Sequence, residues 1–210
     1  MAPESDDRGL YEAWATGDKA AGAELFDRYF APMSRFFANK VGEAADDLIQ
    51  QTFLGCVEAK ERFANAASFR TFLFAIAHNV LRNHYRAKRG AREDPDFSIT
   101  AVAQLAPSAG SLLVAKGERR ALLEGLRSIP LASQLILELV YWERMKAREV
   151  AAVVDAPEGT VRTRLRKAKH ELATALQKLQ RRTEPLESTV MRLSDWAEAV
   201  RTELPGGSAP

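Results

Sequence analysis

Basic side chains are concentrated in the stretch GTVRTRLRKAKHEL, residues 159–172, although the whole chain of 210 residues has a formal net charge of only +2. On a helical wheel of about 100° per residue, its apolar residues form one stripe, and four residues point away from that stripe: Arg162, Thr163, Arg166 and Lys167. Arginine and lysine bind phosphate oxygens, and an arginine fork can bond both O6 and N7 of guanine. The stretch therefore predicts a helix that binds DNA, with a merely solvated charged face as the alternative.

A second helical pattern precedes this basic stretch. KAREVAAVV, residues 146–154, is followed by the turn DAPEG and then by the basic helix. In a helix-turn-helix motif the second helix enters the major groove with its N-terminal residues toward the base edges. The four candidate residues lie in the first turns of the second helix, so this order favours a helix-turn-helix that reads duplex DNA.

Another basic helix is predicted about 70 residues earlier, in SFRTFLFAIAHNVLRNHYRAKR, residues 68–89. One face is apolar, and a different face collects polar and basic residues: Thr71, Asn79, Arg82 and Arg86. Arginines can hold a DNA backbone and the asparagine amide can read a base edge. No turn and recognition helix surround this pattern, so it favours binding of backbone and exposed bases, as in single-strand binding.

A polar patch is predicted on the helix that contains DDLIQQTF. Asp47, Gln50 and Gln51 follow i, i+3, i+4 spacing on the outer face, while Leu48, Ile49, Phe53 and Val57 are assigned to the inner face. Residues at this spacing are neighbours on a helix surface and suit a protein partner, although such patches are often only solvated.

Signals of catalysis are missing from the sequence. It contains no G-x-x-x-x-G-K-[ST], H-E-x-x-H or G-x-S-x-G motif, so neither an enzyme nor a cofactor is expected. The three histidines lack companions at ligand spacing and are assigned to surface or phosphate-side positions, and the single cysteine, Cys56, to the core. The acidic N-terminus is unlike a signal peptide, and no apolar run approaches the roughly 20 residues of a membrane span. We therefore expect a cytoplasmic protein without membrane insertion.

The periodicity predicts an all-α fold with two small helical domains joined by a flexible linker. The expected divisions are an N-terminal segment (1–17), a first helical domain (18–91), a Pro-containing linker (92–111), a second helical domain (112–182) and a C-terminal extension (183–210). Helices in the second domain are expected at 112–129, 131–142, 146–154 and 157–182. In the extension, apolar residues from Leu186 to Leu204 alternate spacings of four and three, which predicts an amphipathic helix that docks on its own protein or binds a regulatory partner.

Three of these stretches together resemble the extracytoplasmic-function (group IV) subgroup of sigma-70 family sigma factors. "DDLIQQTF" resembles the region 2 signature that docks on the β′ coiled coil of RNA polymerase, and "FRTFLFAIAHN" resembles the helix that opens the −10 promoter element. The segment from "LRSIPLASQ" to "RLRKAKHEL" resembles region 4, which reads the −35 element. The chain departs from the family at Gln51, Phe72 and Asn83 and in the loop at 64–67, which corresponds to the family's flipped-base pocket.

The resemblance implies a set of partners and site residues. Core RNA polymerase, through its β′ coiled coil and β subunit, and promoter DNA are expected partners, and an anti-sigma factor is a further family expectation. Asp47 and Gln50 match docking residues, Asn79 matches the contact to an unpaired −10 base, and the four residues of the basic helix match −35 contacts. A helix-turn-helix regulator that binds duplex DNA without polymerase, and an interaction protein that keeps the fold, are the alternatives.

Overall fold

A computed structural model describes residues 4–59, 68–89 and 118–180 of the chain. In these ranges the regular elements are helices, which confirms the predicted all-α fold. Their bounds are α1 Glu4–Ala15, α2 Lys19–Val41, a 3₁₀ turn Gly42–Ala44, α3 Ala45–Glu58, α4 Phe69–Arg89, α5 Glu118–Ser128, α6 Leu131–Leu137, a π-helical turn Glu138–Trp142, α7 Ala147–Val153 and α8 Glu158–Gln180. The loop at 64–67, the linker at 92–111 and the extension at 183–210 lie outside the described residues.

The first half of the molecule is a bundle of α1 to α4. Asp18 caps α2, since its carboxylate accepts hydrogen bonds from the N–H groups of Ala20 (2.9 Å) and Ala21 (3.1 Å). The helix ends at Gly42, whose φ of 61° lies in the left-handed region that glycine tolerates. The inner faces of α2, α3 and α4 bury mainly apolar side chains, including Phe37, Phe69 and Phe74. Val57 departs from the predicted inner face because its side chain is 47% exposed.

Helix α1 was not foreseen by the sequence analysis, which treated residues 1–17 as an N-terminal segment. Its Tyr11 and Trp14 are buried against the bundle. Asp7 is buried too, and its carboxylate accepts hydrogen bonds from Arg28 (2.6 Å) and from the Tyr29 hydroxyl (2.5 Å), both on α2. The helix is therefore held by packing and by one satisfied buried carboxylate.

The second half of the molecule consists of α5 to α8. The described helices lie within the predicted ranges to within a residue, and the sequence analysis differs mainly in reading residues 131–142 as one helix. From Glu138 the backbone switches to π geometry, in which the Glu143 N–H donates to the Glu138 carbonyl at 3.0 Å. Leu122, Leu126, Ala168 and Leu172 form a core of buried side chains in this half.

The two halves pack against each other, a contact that the sequence analysis did not predict. Helix α4 contacts α7, and α2 contacts α5. One continuous apolar cluster contains Phe36 and Leu73 from the first half together with Leu135, Leu139 and Val150 from the second. The helix-turn-helix therefore stands directly on the bundle that carries α3 and α4.

Candidate nucleic-acid interface

The helix-turn-helix consists of α7, the turn at 154–157 and α8. The Lys146 N–H donates to the Glu149 carboxylate at 2.7 Å, which fixes the first turn of α7. Asp155 has a φ of 48°, in the left-handed region that aspartate tolerates better than most residues, and the chain reverses there. Pro157 then precedes α8, which begins at Glu158. This local geometry sets the angle at which the basic helix leaves the bundle.

Helix α8 separates its packing side chains from its basic ones as the wheel predicts. Val161, Ala168 and Leu172 are completely buried, and Leu165 is half-buried. The predicted DNA-facing residues are all exposed: Arg162, Thr163, Arg166 and Lys167. The structure therefore brings these four side chains together on an open face in the first three turns of the helix.

Three of the four candidate side chains have partners within α8, where the Thr163 hydroxyl donates to the Gly159 carbonyl at 3.1 Å and two of the basic side chains form ion pairs. The Arg162 guanidinium donates to Glu158 through Nη2 (2.6 Å) and Nε (3.1 Å), and Lys167 lies 3.6 Å from Glu171. Both are i,i+4 pairs in which the basic side chain is well exposed, and such pairs are worth less than about 1 kcal/mol. Exchanging these carboxylates for phosphates or base edges therefore costs little.

The second predicted DNA face, on α4, is only partly formed. Asn79 and Arg86 are exposed and Arg82 is half-buried, so these three share an accessible surface. Thr71 does not belong to it, which corrects the sequence-based assignment. Its side chain is only 4% exposed, and its hydroxyl lies 3.0 Å from that of Ser68, whose oxygen also accepts the Thr71 N–H at the start of α4. Thr71 therefore helps to start the helix.

The histidines of α4 are also placed differently from the prediction. His78 and His84 are both partly buried instead of lying on the open surface. Burial, and after it the positive charge of the neighbouring Arg82, together lower the pKa of His78 to about 4. Burial and then Lys88 lower the pKa of His84 as well. Since a neutral imidazole contributes no charge, the positive charge of this face comes from its arginines and lysines.

The predicted polar patch on α3 is exposed. Asp47, Gln50 and Gln51 all lie on the surface, with Asp46 beside them in the first turn of the helix. An apolar groove of about 470 Å³ adjoins the patch between α2 and α3, and Asp46 and Gln50 form part of its wall. Its floor and rim include Phe30 (43% exposed), Leu54 (55%) and Val57 (47%). The sequence analysis missed the groove because it assigned Val57, which is exposed on the rim, to the inner face of α3.

Other kinds of site find no support in the described part of the chain. No group of three or more His, Cys, Asp or Glu residues there could hold a metal ion. Burial raises the pKa of the Cys56 thiol to about 12 and excludes it from solvent, as expected of a core cysteine. Among the same residues, no helix is long and apolar enough to cross a membrane.

Comparisons with known proteins point to one protein family. Residues 27–91 match the family Sigma-70 region 2, and residues 119–172 match Sigma-70, region 4. The RNA polymerase sigma-H factor of Pseudomonas aeruginosa is 28% identical over 193 residues, covering 86% of this chain and 99% of its own length. The ECF RNA polymerase sigma-E factor of Salmonella typhimurium is 26% identical, covering 87% of this chain and its own full length. The structure of CnrH in complex with the cytosolic domain of CnrY superposes with a TM-score of 0.55 at 25% identity, covering 82% of this chain and 98% of that one.

A helical bundle followed by a helix-turn-helix, each with a basic face, defines a two-part promoter-recognition protein. The two family matches together cover more than half of the chain, in the order in which these regions occur in sigma factors. The chain belongs to the sigma-70 family and is an alternative sigma factor, which binds core RNA polymerase and acts in promoter recognition.

Proposed function

We propose that the chain is an extracytoplasmic-function sigma factor in which α8 reads the −35 element, α4 captures the melted −10 element and α3 docks on polymerase. The exposed set on α8, on the second helix of a helix-turn-helix, is the observation that carries this proposal. The protein acts by binding and positioning, without catalysis, in the cytoplasm where RNA polymerase works.

Recognition of the −35 element relies on the first turns of α8. Arg162 and Arg166 are separated by one helical turn and can each form two hydrogen bonds to guanine in the major groove. Lys167 and Thr163 suit phosphate oxygens, which position the helix without specifying sequence. The N-terminus of α8 adds a partial positive charge next to the DNA backbone.

Recognition of the −10 element relies on α4. Asn79 presents an exposed amide, which can pair with the edge of an unpaired base. Arg82 and Arg86 lie one and two turns further along the helix and can hold the backbone next to that base. Unstacking a base costs a few kcal/mol, which these contacts must offset.

Docking to core polymerase relies on the α3 patch of Asp47, Gln50 and Gln51 and the adjoining groove. An apolar centre with a polar and acidic rim suits an interface in which apolar burial provides affinity and charge provides orientation. The groove is lined by Phe30, Leu54 and Val57. We assign this surface to the β′ coiled coil, and region 4 to the β subunit.

Run-off transcription with core polymerase tests the proposal. Arg162→Ala combined with Arg166→Ala should lower promoter-dependent transcription at least tenfold, since each bidentate guanine contact is worth about 1–3 kcal/mol. Arg164→Ala is the matched control, because Arg164 is an exposed arginine of the same helix outside the predicted set. No transcript with the wild-type protein, together with tight binding to duplex DNA without polymerase, would instead favour the conventional helix-turn-helix regulator.

We also propose that two regulatory partners act on this sigma factor. The similar CnrH structure contains the cytosolic domain of a second protein, and the family resemblance implies an anti-sigma factor for this chain. The C-terminal stripe from Leu186 to Leu204 would bind a regulatory partner or dock on the protein itself. Removing residues 183–210 should change promoter activity or stability, and an unchanged result in both would discard the proposed role of the extension.

A further inference from the structure

A carboxylate holds the first arginine of the predicted −35 set in one orientation. Glu158 is the first residue of α8, and its Oε1 accepts two hydrogen bonds from Arg162, one from Nη2 at 2.6 Å and one from Nε at 3.1 Å. The two residues are four apart, which is the spacing at which side chains meet on a helix surface. The Arg162 guanidinium is therefore already oriented before any DNA is bound.

These hydrogen bonds use only one edge of the guanidinium. Nε and Nη2 form the side edge, which faces Glu158, whereas Nη1 and the other N–H of Nη2 form the end edge. Among the described residues Nη1 has no partner, and the Arg162 side chain is 71% exposed. Guanine offers O6 and N7 to a pair of parallel N–H groups. Arg162 can therefore bind a guanine through its end edge while it keeps Glu158 on its side edge.

The other arginine of the set is not held in this way. Arg166 has Arg162 four residues before it and His170 four residues after it, so neither neighbour offers a carboxylate. Within the described ranges it contacts no acidic side chain. Holding a long side chain at an interface costs rotamer entropy. Arg162 has lost part of this freedom in advance, whereas Arg166 is free to follow a base or a phosphate.

A second carboxylate of α8 also contacts a basic residue of the set, but its effect differs. Glu171 lies 3.6 Å from Lys167, and its other oxygen accepts a hydrogen bond from the Ser133 hydroxyl on α6 at 2.6 Å. The ammonium group of lysine is a compact charge with rotating N–H donors, so a neighbouring carboxylate does not fix which way it donates. Glu171 is therefore a matched control for Glu158, with the same charge on the same helix.

The charge of Glu158 changes what Arg162 contributes to binding. A lone arginine attracts the phosphates of any sequence, whereas the Glu158–Arg162 pair has no net charge and attracts them weakly. The partial positive charge at the N-terminus of α8 lowers the cost of placing a carboxylate beside DNA. Where DNA excludes water, the charge-assisted hydrogen bonds of the pair become stronger. The pair therefore favours the choice of a base over general affinity for DNA.

We propose that Glu158 is a positioning residue that sets −35 specificity, because it holds Arg162 with its end edge free to read one guanine. The inference rests on the proposed function for the assignment of α8 to the −35 element. Without Glu158, Arg162 would be a mobile cation that binds phosphates of any sequence. Removing the carboxylate should therefore strengthen binding to DNA in general and weaken the preference for that guanine.

Selection from a fully randomised duplex library tests the proposal, with holoenzyme reconstituted from the full-length chain and core polymerase. Wild-type holoenzyme should enrich a motif that contains guanine, and Arg162→Ala should identify one guanine by abolishing the preference for it. Glu158→Ala should lower the preference at that same base pair by about tenfold and keep the preferences at the other positions. Its binding to unselected duplexes should become tighter and should fall more steeply with salt.

Two further variants separate positioning from a general effect on α8. Glu171→Ala should change binding to all duplexes by a common factor and keep the preference at the Arg162 base pair. In the Arg162→Ala background, Glu158→Ala should not change the base preferences further, because the side chain that it orients is missing.

The outcomes distinguish this inference from the proposed function. The inference alone is overturned if Glu158→Ala, shown by circular dichroism to be folded, keeps the wild-type preference at the Arg162 base pair or loses preference equally at every position. It is also overturned if Arg162→Ala leaves every guanine preference in place. A wild-type holoenzyme that selects no sequence would overturn the proposed function, and this inference with it.

Discussion

Replacing Glu138 by Gln leaves Lys40 as a completely buried cation without its carboxylate partner. Burial already lowers the pKa of Lys40, and Glu138 is the main group that opposes this effect. Removing one partner of a buried ion pair typically costs about 3–5 kcal/mol. Lys40 can avoid the penalty of an unpaired charge by losing its proton. At pH 7, deprotonating a lysine with an ordinary pKa of 10.5 costs about 5 kcal/mol, which sets an upper limit to the loss of stability. We therefore expect Glu138→Gln to lower the free energy of unfolding by about 3–5 kcal/mol at pH 7.

The lowered pKa of Lys40 also determines how the free energy of unfolding depends on pH. A lysine whose pKa is lowered on folding binds fewer protons in the folded state than in the unfolded state, so stability rises with pH up to the unfolded pKa of 10.5. At pH 9 the cost of deprotonating a lysine with the ordinary pKa falls to about 2 kcal/mol, and the loss of stability cannot exceed this cost by much. The deficit of Glu138→Gln relative to wild type should therefore shrink between pH 7 and pH 9.

Urea unfolding followed by circular dichroism at both pH values measures these differences. Lys40→Met combined with Glu138→Gln should recover most of the lost stability, because a methionine can occupy the site without charge. Glu12→Gln is the control, since the Arg8–Glu12 pair is exposed and should contribute little. A loss below about 1 kcal/mol for Glu138→Gln at pH 7 would refute the reasoning, as would a deficit that does not shrink at pH 9.

Three further predictions concern other parts of the molecule. Gly22→Ala would place a Cβ only 2.4 Å from the Trp14 ring, so we expect a loss of about 1–3 kcal/mol in unfolding free energy. Gly9→Ala, with nothing within 4 Å, should instead add up to about 1 kcal/mol, and equal effects in thermal or urea unfolding would contradict this account of the packing. Cys56, whose pKa is raised to about 12 by burial, should react with a thiol reagent at pH 8 only as fast as the protein unfolds, and rapid labelling of the native protein would show that the thiol is accessible. Asp47→Lys should weaken association with core polymerase at least tenfold in a competition assay by reversing a charge at the interface, whereas Glu12→Lys should not, and an equal effect of both would move the docking surface away from α3.

The sequence alone was sufficient to predict the helices whose apolar residues are regularly spaced. Residues of α8 such as Val161, Ala168 and Leu172 recur at the helical period, so both the helix and its exposed basic face followed from the pattern. The same holds for α3 and α4, where the surface positions of Gln50 and Asn79 agree with the prediction. Helix α1 was not predicted, because its apolar pattern is short and the helix is stabilised only by the burial of Tyr11 and Trp14 against other helices.

The exceptions within predicted helices have a common cause. A helical wheel gives the direction of a side chain but not what lies opposite it. Thr71 is covered although it points to the same side of α4 as Asn79, because Thr71 lies in the first turn beside Ser68 and Asn79 lies two turns further along the helix. Val57 is apolar but exposed, because it borders the groove between α2 and α3 that the pattern could not reveal.

The amino-acid sequence determined the helices, their amphipathic faces and the basic character of the outer faces, because these properties depend on residue type and on spacing of three and four. Only the tertiary structure decided how the two halves stand relative to each other. The partners Lys40 and Glu138 are 98 residues apart in the chain, and neither lies in a local pattern that points to the other. Their pairing depends on long-range packing and on a π-helical turn, which is why the contact between the two halves could be found only in three dimensions.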